Sequence, residues 1–212
     1  MAMSEPVAVA VLAKAPVAGF AKTRLIPVLG AEGAAALQAR LIARAVATAC
    51  AAGVGPVTVW ATPDETHPAL QTIAGEFAVA LARQRGGDLG ARMLAALAAA
   101  NAPALVIGTD CPALAADHLR TAAGILRSGT DAVVVPAEDG GYALIGLRAP
   151  EPALFSEMRW STPSVMDETR RRLERLGMSW QEPVTLWDVD LPADLERLRR
   201  IGLHDLIPSP GA

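Results

Sequence analysis

The sequence predicts an α/β fold on a mostly parallel sheet, and three observations carry that expectation. The run Val7–Ala13 is apolar throughout, as a strand covered on both faces must be. Further apolar runs at Pro56–Thr62, Ala104–Thr109 and Ala132–Pro136 alternate with helical stretches, the rhythm of βαβ units with right-handed crossovers. The 212 residues are 52% hydrophobic and 19% charged, which suffices for one buried core.

Each element follows in order. After the first strand comes a loop rich in Pro, Gly and Lys, Lys14–Gly30. A long helix is expected from about Ala31, with Leu37, Leu41, Ala45 and Ala49 at four-residue steps and Gly53 as its stop. The strand Pro56–Thr62 leads to a short helix at Ala69–Ala74 and a weaker strand at Phe77–Leu81. A polar, glycine-rich loop, Arg83–Gly90, opens an alanine-rich helix over Ala91–Ala100. The strand at Ala104–Thr109 is followed by a helix over Ala115–Arg127, stopped by Gly129, and the strand Ala132–Pro136. The rhythm then breaks. Tyr142–Leu147 follows after a turn holding Gly140 and Gly141, too short a connection for a parallel crossover. This predicts a small antiparallel addition near the C-terminal half. Helices at Pro163–Leu176, capped by Ser161 or Thr162, and at Ala193–Ile201 complete one domain over residues 1–212, with a soft tail at 207–212.

Composition removes several function classes. The net charge is −3 and no basic block stands out, so a nucleic-acid footprint is not expected. Cys50 and Cys111 stand apart in no paired motif, which fits a reducing compartment and speaks against a disulfide framework or zinc ribbon. No basic segment precedes the first apolar run, so no leader is expected. The longest uncharged run, Ala45–Pro63, has Gly53, Gly55 and Pro56 in its middle and reads as helix, turn and strand rather than a membrane span. The expected location is therefore cytoplasmic. The HExxH, GxSxG and CxxC patterns are absent, and His67, His118 and His204 are isolated.

The loop after the first strand concentrates charge. It carries Lys14, Lys22 and Arg24 beside Pro16, Gly19 and Thr23. Ligands of open α/β sheets bind beyond the carboxyl ends of strands near the switch in strand order, and cations with loop amides there suit a phosphate chain. A P-loop would need glycines where Pro16 and Ala21 stand, and a dinucleotide fingerprint needs three glycines where this loop has one. A plain solvated loop accounts for the same lysines.

Carboxylates recur at strand ends. Asp110 stands directly after the strand at Ala104, where it can hold a divalent cation or cap a turn. Asp188 and Asp190 stand two residues apart along Trp187–Leu195. One of them is expected to meet the metal, although Asp190 can equally serve a helix N-terminus. Asp139, Gly140 and Gly141 allow close backbone approach to a ligand or a tight hairpin. Gly86–Arg92 can grip a base or ribose, or merely lead into a helix.

Together the stretches KAPVAGFAKTRL, QRGGDLGARM, GTDCPAL, DGGYALIGL, WST and WDVDLPADL resemble the nucleotide-diphospho-sugar transferase superfamily, and more closely the bacterial DUF2064 group of glycosyltransferase-like proteins. They span residues 14–195, and their shared order makes the likeness specific. The resemblance implies a Rossmann-like GT-A fold. It implies that Lys14, Pro16, Gly19, Lys22, Thr23 and Arg24 meet the phosphates of a nucleotide, with Lys22 and Arg24 stabilising the departing group. It places Gln84, Gly87, Asp88, Leu89 and Gly90 near the base. Asp139, Gly140, Gly141, Tyr142, Trp160, Ser161 and Thr162 would face the sugar or acceptor. Asp110, with a catalytic role, and Asp190 would hold Mg2+ or Mn2+. Leu191 departs from the pattern, standing where the wider group often has Thr.

The expected activity is therefore a metal-dependent transferase using a nucleotide-sugar and a small-molecule acceptor, with no nucleic-acid or membrane partner. Two other readings stay open. One is a nucleotidyltransferase that takes a nucleoside triphosphate, similar to those that charge phospholactate or molybdopterin; three loop cations suit a triphosphate. The other is a non-catalytic nucleotide-binding module.

Overall fold

The computed structural model describes residues 5–101 and 103–208. Seven strands form one sheet: β1 (Ala8–Lys14), β2 (Val57–Thr62), β3 (Ala80–Arg83), β4 (Ala104–Ile107), β5 (Ala132–Pro136), β6 (Tyr142–Leu147) and β7 (Trp180–Gln181). Their order across the sheet is β3-β2-β1-β4-β6-β5-β7. Every neighbouring pair is parallel except those of β6, which runs antiparallel to both β4 and β5. The antiparallel element expected near the C-terminal half is thus present, as an inner strand. Gly146 shows how tightly it is held, because a Cβ there would lie 2.5 Å from Leu105 and 2.7 Å from Val133.

Helices cover both faces. Helices α1 (Ile26–Ala52), α2 (Pro68–Glu76) and α4 (Ala116–Arg127) lie on one side, where Ile42, Val46, Leu70 and Leu119 pack on Val9, Val11 and Val133. Helices α3 (Leu89–Ala99) and α5 (Val165–Arg175) lie on the other, where Met93, Leu97, Met166 and Leu173 pack on Ala10, Val106 and Val134. Alternate strand residues therefore serve opposite faces, which is why these strands are apolar throughout. Helix α6 (Pro192–Arg200) belongs to a third cluster in which Leu195 and Leu198 pack with Leu25, Leu37, Trp187 and Val189.

Several boundaries move from expectation. A short helical piece precedes Gly30, whose φ of 72° and ψ of 170° break the helix, so the long stretch starts where the sequence suggested. It ends at Gly53 in the left-handed region, as expected. Strand β3 begins three residues later than predicted, because α2 runs on to Glu76 and consumes Phe77 as its cap. The cap of α5 is Ser164, not Ser161 or Thr162. The hydroxyl of Thr162 instead donates to the Arg159 carbonyl at 2.8 Å. Strand β7 was not anticipated, since two residues give no period to read. By length and composition the segment Thr23–Ala52 could cross a membrane; here its apolar face lies against the sheet. Within the tail expected at 207–212, Ile207 packs on the third cluster, and residues 209–212 lie outside the described residues.

Candidate functional site

The chain leaves β1 to the left, toward β2, and leaves β4 to the right, so the switch in strand order falls between these two strands. A crevice opens there at their carboxyl ends. The loop after β1 and the segment Gly108–Asp110 after β4 meet at it. Because β6 is antiparallel, the β5–β6 turn, residues 137–141, lies at the same end.

Lys22 is the hinge of the site. Its backbone is left-handed at φ 45°, and its side chain is only 5% exposed. The ammonium donates to Asp110 Oδ1 at 2.7 Å and to the Val189 carbonyl at 2.5 Å. The Val189 amide in turn donates to the Asp110 carbonyl at 2.7 Å. The extended segment 186–190 is thereby strapped across the ends of β4 and β5, where Leu186 also bridges Ala137. Val189 is fully buried, so its neighbours Asp188 and Asp190 both turn away from the core, and the partners each meets divide them.

That division separates their roles. Asp190 forms an ion pair with Arg24, while its amide and that of Leu191 donate to Asp194. Asp188 is half-buried, and its carboxyl is pushed up to about 6, first by desolvation and then by the charges of Asp139 and Asp110, against a pull from Lys22. It is Asp188, rather than the Asp190 named from sequence, whose field is shared with Asp110. The spacing of two residues was legible, but it gives both acids one face in a regular strand, and their separation depends on Arg24 pairing with Asp190.

The other expected residues divide into those turned to the crevice and those spent on the scaffold. Lys14 is exposed, and its ammonium closes the loop on the Phe20 carbonyl at 2.7 Å. Pro16 is buried, Thr23 and Arg24 are exposed, and Gly19 takes φ 80°. Gln84 spends its amide nitrogen on the Trp60 and Ala13 carbonyls, at 2.8 and 3.2 Å, which ties β2 to β1 and leaves only its oxygen for a ligand. Asp88 caps α3, accepting from the Ala91 amide at 2.8 Å. Gly87 and Leu89 flank it, both exposed. Asp139 accepts from the Gly141 amide at 2.8 Å, so it also stabilises its own turn.

Glycine is required at two contacts. At Gly90 a Cβ would stand 2.6 Å from the Trp160 ring and 2.9 Å from the Phe155 carbonyl. At Gly140, with φ 88°, it would fall 2.1 Å from the Pro163 carbonyl. The GGDLG turn, the DGGY hairpin and the WST segment are therefore one packed unit. Trp160 meets Tyr142 edge-on at 6.4 Å, and its indole N–H is buried with no hydrogen-bond partner among the described residues. Tyr142 reaches Met93 at 3.9 Å, and burial holds its hydroxyl protonated. Ser161 takes φ 60°.

Sequence reasoning passed over Gln38 and Thr109. Gln38, 4% exposed, stands 3.3 Å from the Thr109 hydroxyl and 3.5 Å from the Lys14 carbonyl. Thr109 points on to Asp110 at 3.4 Å. A lone glutamine on the apolar stripe of a core helix was the available signal, because a buried amide needs partners.

The comparisons with known proteins fit this geometry. A family model described as an uncharacterized protein conserved in bacteria (DUF2064) matches residues 44–162, more than half of the chain. A crystal structure from Desulfovibrio desulfuricans G20, provisionally named a nucleotide-diphospho-sugar transferase, is 28% identical with a TM-score of 0.84, covering 94% of this chain and 88% of that one. A CMP:2-keto-3-deoxy-manno-octonic acid synthetase complexed with CTP is 14% identical with a TM-score of 0.58, covering 94% and 99%. A 4-diphosphocytidyl-2C-methyl-D-erythritol synthase from Anaerococcus prevotii DSM 20548 is 10% identical with a TM-score of 0.59, covering 92% and 96%. At those identities the last two likenesses concern the fold. No curated protein matches the chain.

Proposed function

The chain belongs to the bacterial DUF2064 family, and from that premise we propose that it is a divalent-metal-dependent transferase binding a nucleotide-sugar at the β1–β4 crevice. One observation carries the reading. The half-buried Asp188 carboxyl lies in the repulsive field of Asp139 and Asp110, at the crevice where the Lys22 ammonium meets Asp110 at 2.7 Å and the loop after β1 presents Lys14 and Arg24. Carboxylates crowded in this way are relieved by a cation, and the nearby ammonium and guanidinium groups suit phosphates.

The residues fit a hard divalent ion. Asp110 and Asp188 would hold it, in the manner of magnesium, which takes one or two carboxylates and leaves other positions to phosphates and water. When bound, such an ion neutralises charge on a diphosphate leaving group. The chain's own residues do the rest. Lys22 fixes Asp110 against the 186–190 strap, Lys14 and the loop amides bind phosphate oxygens, and Arg24 supplies a two-pronged donor at the rim. The packed unit of Gly90, Gly140, Tyr142 and Trp160 shapes the side on which the sugar and acceptor sit. Transfer is direct, with no covalent intermediate on the chain.

A second reading is nucleotidyl transfer from a nucleoside triphosphate. The exposed loop cations Lys14 and Arg24 favour it, and the CTP-bound fold neighbour is in keeping with it. Thermal stabilisation by nucleotide-sugars and nucleoside triphosphates, with and without Mg2+ or Mn2+, separates the two. A ligand at a hundred times its Kd adds about 2.7 kcal/mol, a shift of about 5–10 °C for a chain of this size. A metal-dependent shift with one nucleotide-sugar is expected. A shift with triphosphates alone selects nucleotidyl transfer, and no shift with any ligand refutes both.

A further inference from the structure

Arg197 joins two segments on which the proposed site depends, yet it stands on α6, outside every motif of the sequence. Its guanidinium donates to both carboxylate oxygens of Glu138, at 2.7 and 3.0 Å, and lies 4.3 Å over the Trp187 ring. Glu138 is the chain neighbour of Asp139, and Trp187 that of Asp188. One side chain therefore grips the flanks of both acids. The main chain repeats the link, with the Glu138 amide donating to the Leu186 carbonyl at 2.9 Å and the Leu186 amide to the Pro136 carbonyl at 2.9 Å. Helix α6 gives the grip a firm base, since Leu195 and Leu198 are buried beside Trp187 and Val189.

Asp139 and Asp188 stand on two different segments, so their spacing depends on contacts that tie the 137–141 turn to the 186–190 strap. We propose that Arg197 is a positioning residue for the cation site, setting the separation of Asp139 and Asp188 by holding Glu138 and Trp187 at once. The inference rests on the reading that Asp110 and Asp188 take a divalent ion. Arg197 and Glu138 are 36% and 54% exposed, and exposed pairs contribute little to global stability. Removing the grip therefore loosens the site rather than the fold. Outer partners that orient metal ligands are worth about 10–100-fold in metal affinity.

The test is Mn2+ binding to the full chain, followed by water-proton relaxation, for wild type, Asp110→Ala, Glu138→Gln, Arg197→Met, Arg197→Lys and the Glu138→Gln/Arg197→Met double variant. Arg197→Met and Glu138→Gln should each weaken Mn2+ about tenfold, the double variant no more than the worse single one, and Arg197→Lys less than Arg197→Met. Thermal midpoints should stay within a few degrees of wild type. If Asp110→Ala abolishes binding while Arg197→Met and Glu138→Gln bind as wild type, the positioning role is overturned and the metal reading stands. Losses that add in the double variant, or that appear only in the thermal midpoint, overturn it too. If wild type binds no Mn2+, or Asp110→Ala binds it unchanged, both the inference and the metal reading fall.

Discussion

Replacing Asp188 with Asn should stabilise the ligand-free protein while removing its metal response. The native carboxyl is raised from 3.8 to about 6 by desolvation and by Asp139 and Asp110. Below pH about 4 it is protonated in both folded and unfolded chains, so it has no effect on stability. Between about 4 and 6 the folded state keeps a proton that the unfolded state has lost, and stability falls as pH rises. Above 6 the penalty is complete. Its ceiling is about 3 kcal/mol, and partial exposure screens it to about 1–2 kcal/mol. Asp188→Asn removes that penalty, which at pH 7.5 is a rise of about 2–8 °C in Tm for a chain of this length. The assay is thermal unfolding in chelator at pH 7.5 and pH 4.5. The gain should be present at the higher pH and shrink toward the lower one. Added Mn2+ should stabilise wild type and leave the variant unmoved. Asp190→Asn is the control, because its carboxylate is paired with Arg24 and no gain is expected. A variant no more stable than wild type at pH 7.5, or a gain independent of pH, refutes the crowding argument.

Asp110→Ala should abolish turnover and the metal-dependent thermal shift while the fold stays intact by circular dichroism; wild-type activity would remove Asp110 from the site. Lys22→Ala should free Asp110 and the 186–190 strap and so weaken metal-dependent nucleotide binding, and an unchanged affinity would dismiss that anchoring role. Gly90→Ala should destabilise by about 1–3 kcal/mol in denaturant titration, since its Cβ meets the Trp160 ring. Gly124→Ala, whose Cβ on α4 meets nothing, should stabilise by about 0.5–1 kcal/mol, and equal effects at the two positions would contradict the packed unit. Burial pushes the Cys111 thiol up to about 11 and raises that of Cys50, so both should alkylate slowly in the native protein at pH 8. Rapid labelling of Cys111 would show that the turn after β4 opens.

Much of the fold was written in local chemistry. Continuous apolar runs marked β1, β4 and β5, because strands buried on two faces have no polar side. Glycines at 53, 129 and 177 stopped helices through the left-handed region they alone enter cheaply. The candidate site was legible in part for the same reason. Loop cations and acids directly after strands are placed by the end of the sheet, wherever the strand lies within it.

The tertiary structure decided what depends on partners distant in sequence. Strand order is one such matter: the short turn after β5 announced an antiparallel strand, but its insertion beside β4 follows from pairing between residues as far apart as Ala104 and Leu147. The division between Asp188 and Asp190 is another. Their spacing was plain, yet only contacts across the chain set Asp188 beside Asp139 and Asp110 and paired Asp190 with Arg24. Gln38, Thr109 and Arg197 carry no motif, and their roles arise from what they touch across the chain. The sequence by itself determined which elements form and where charge gathers, because those are properties of neighbours along the chain. Which charges meet is a property of neighbours in space.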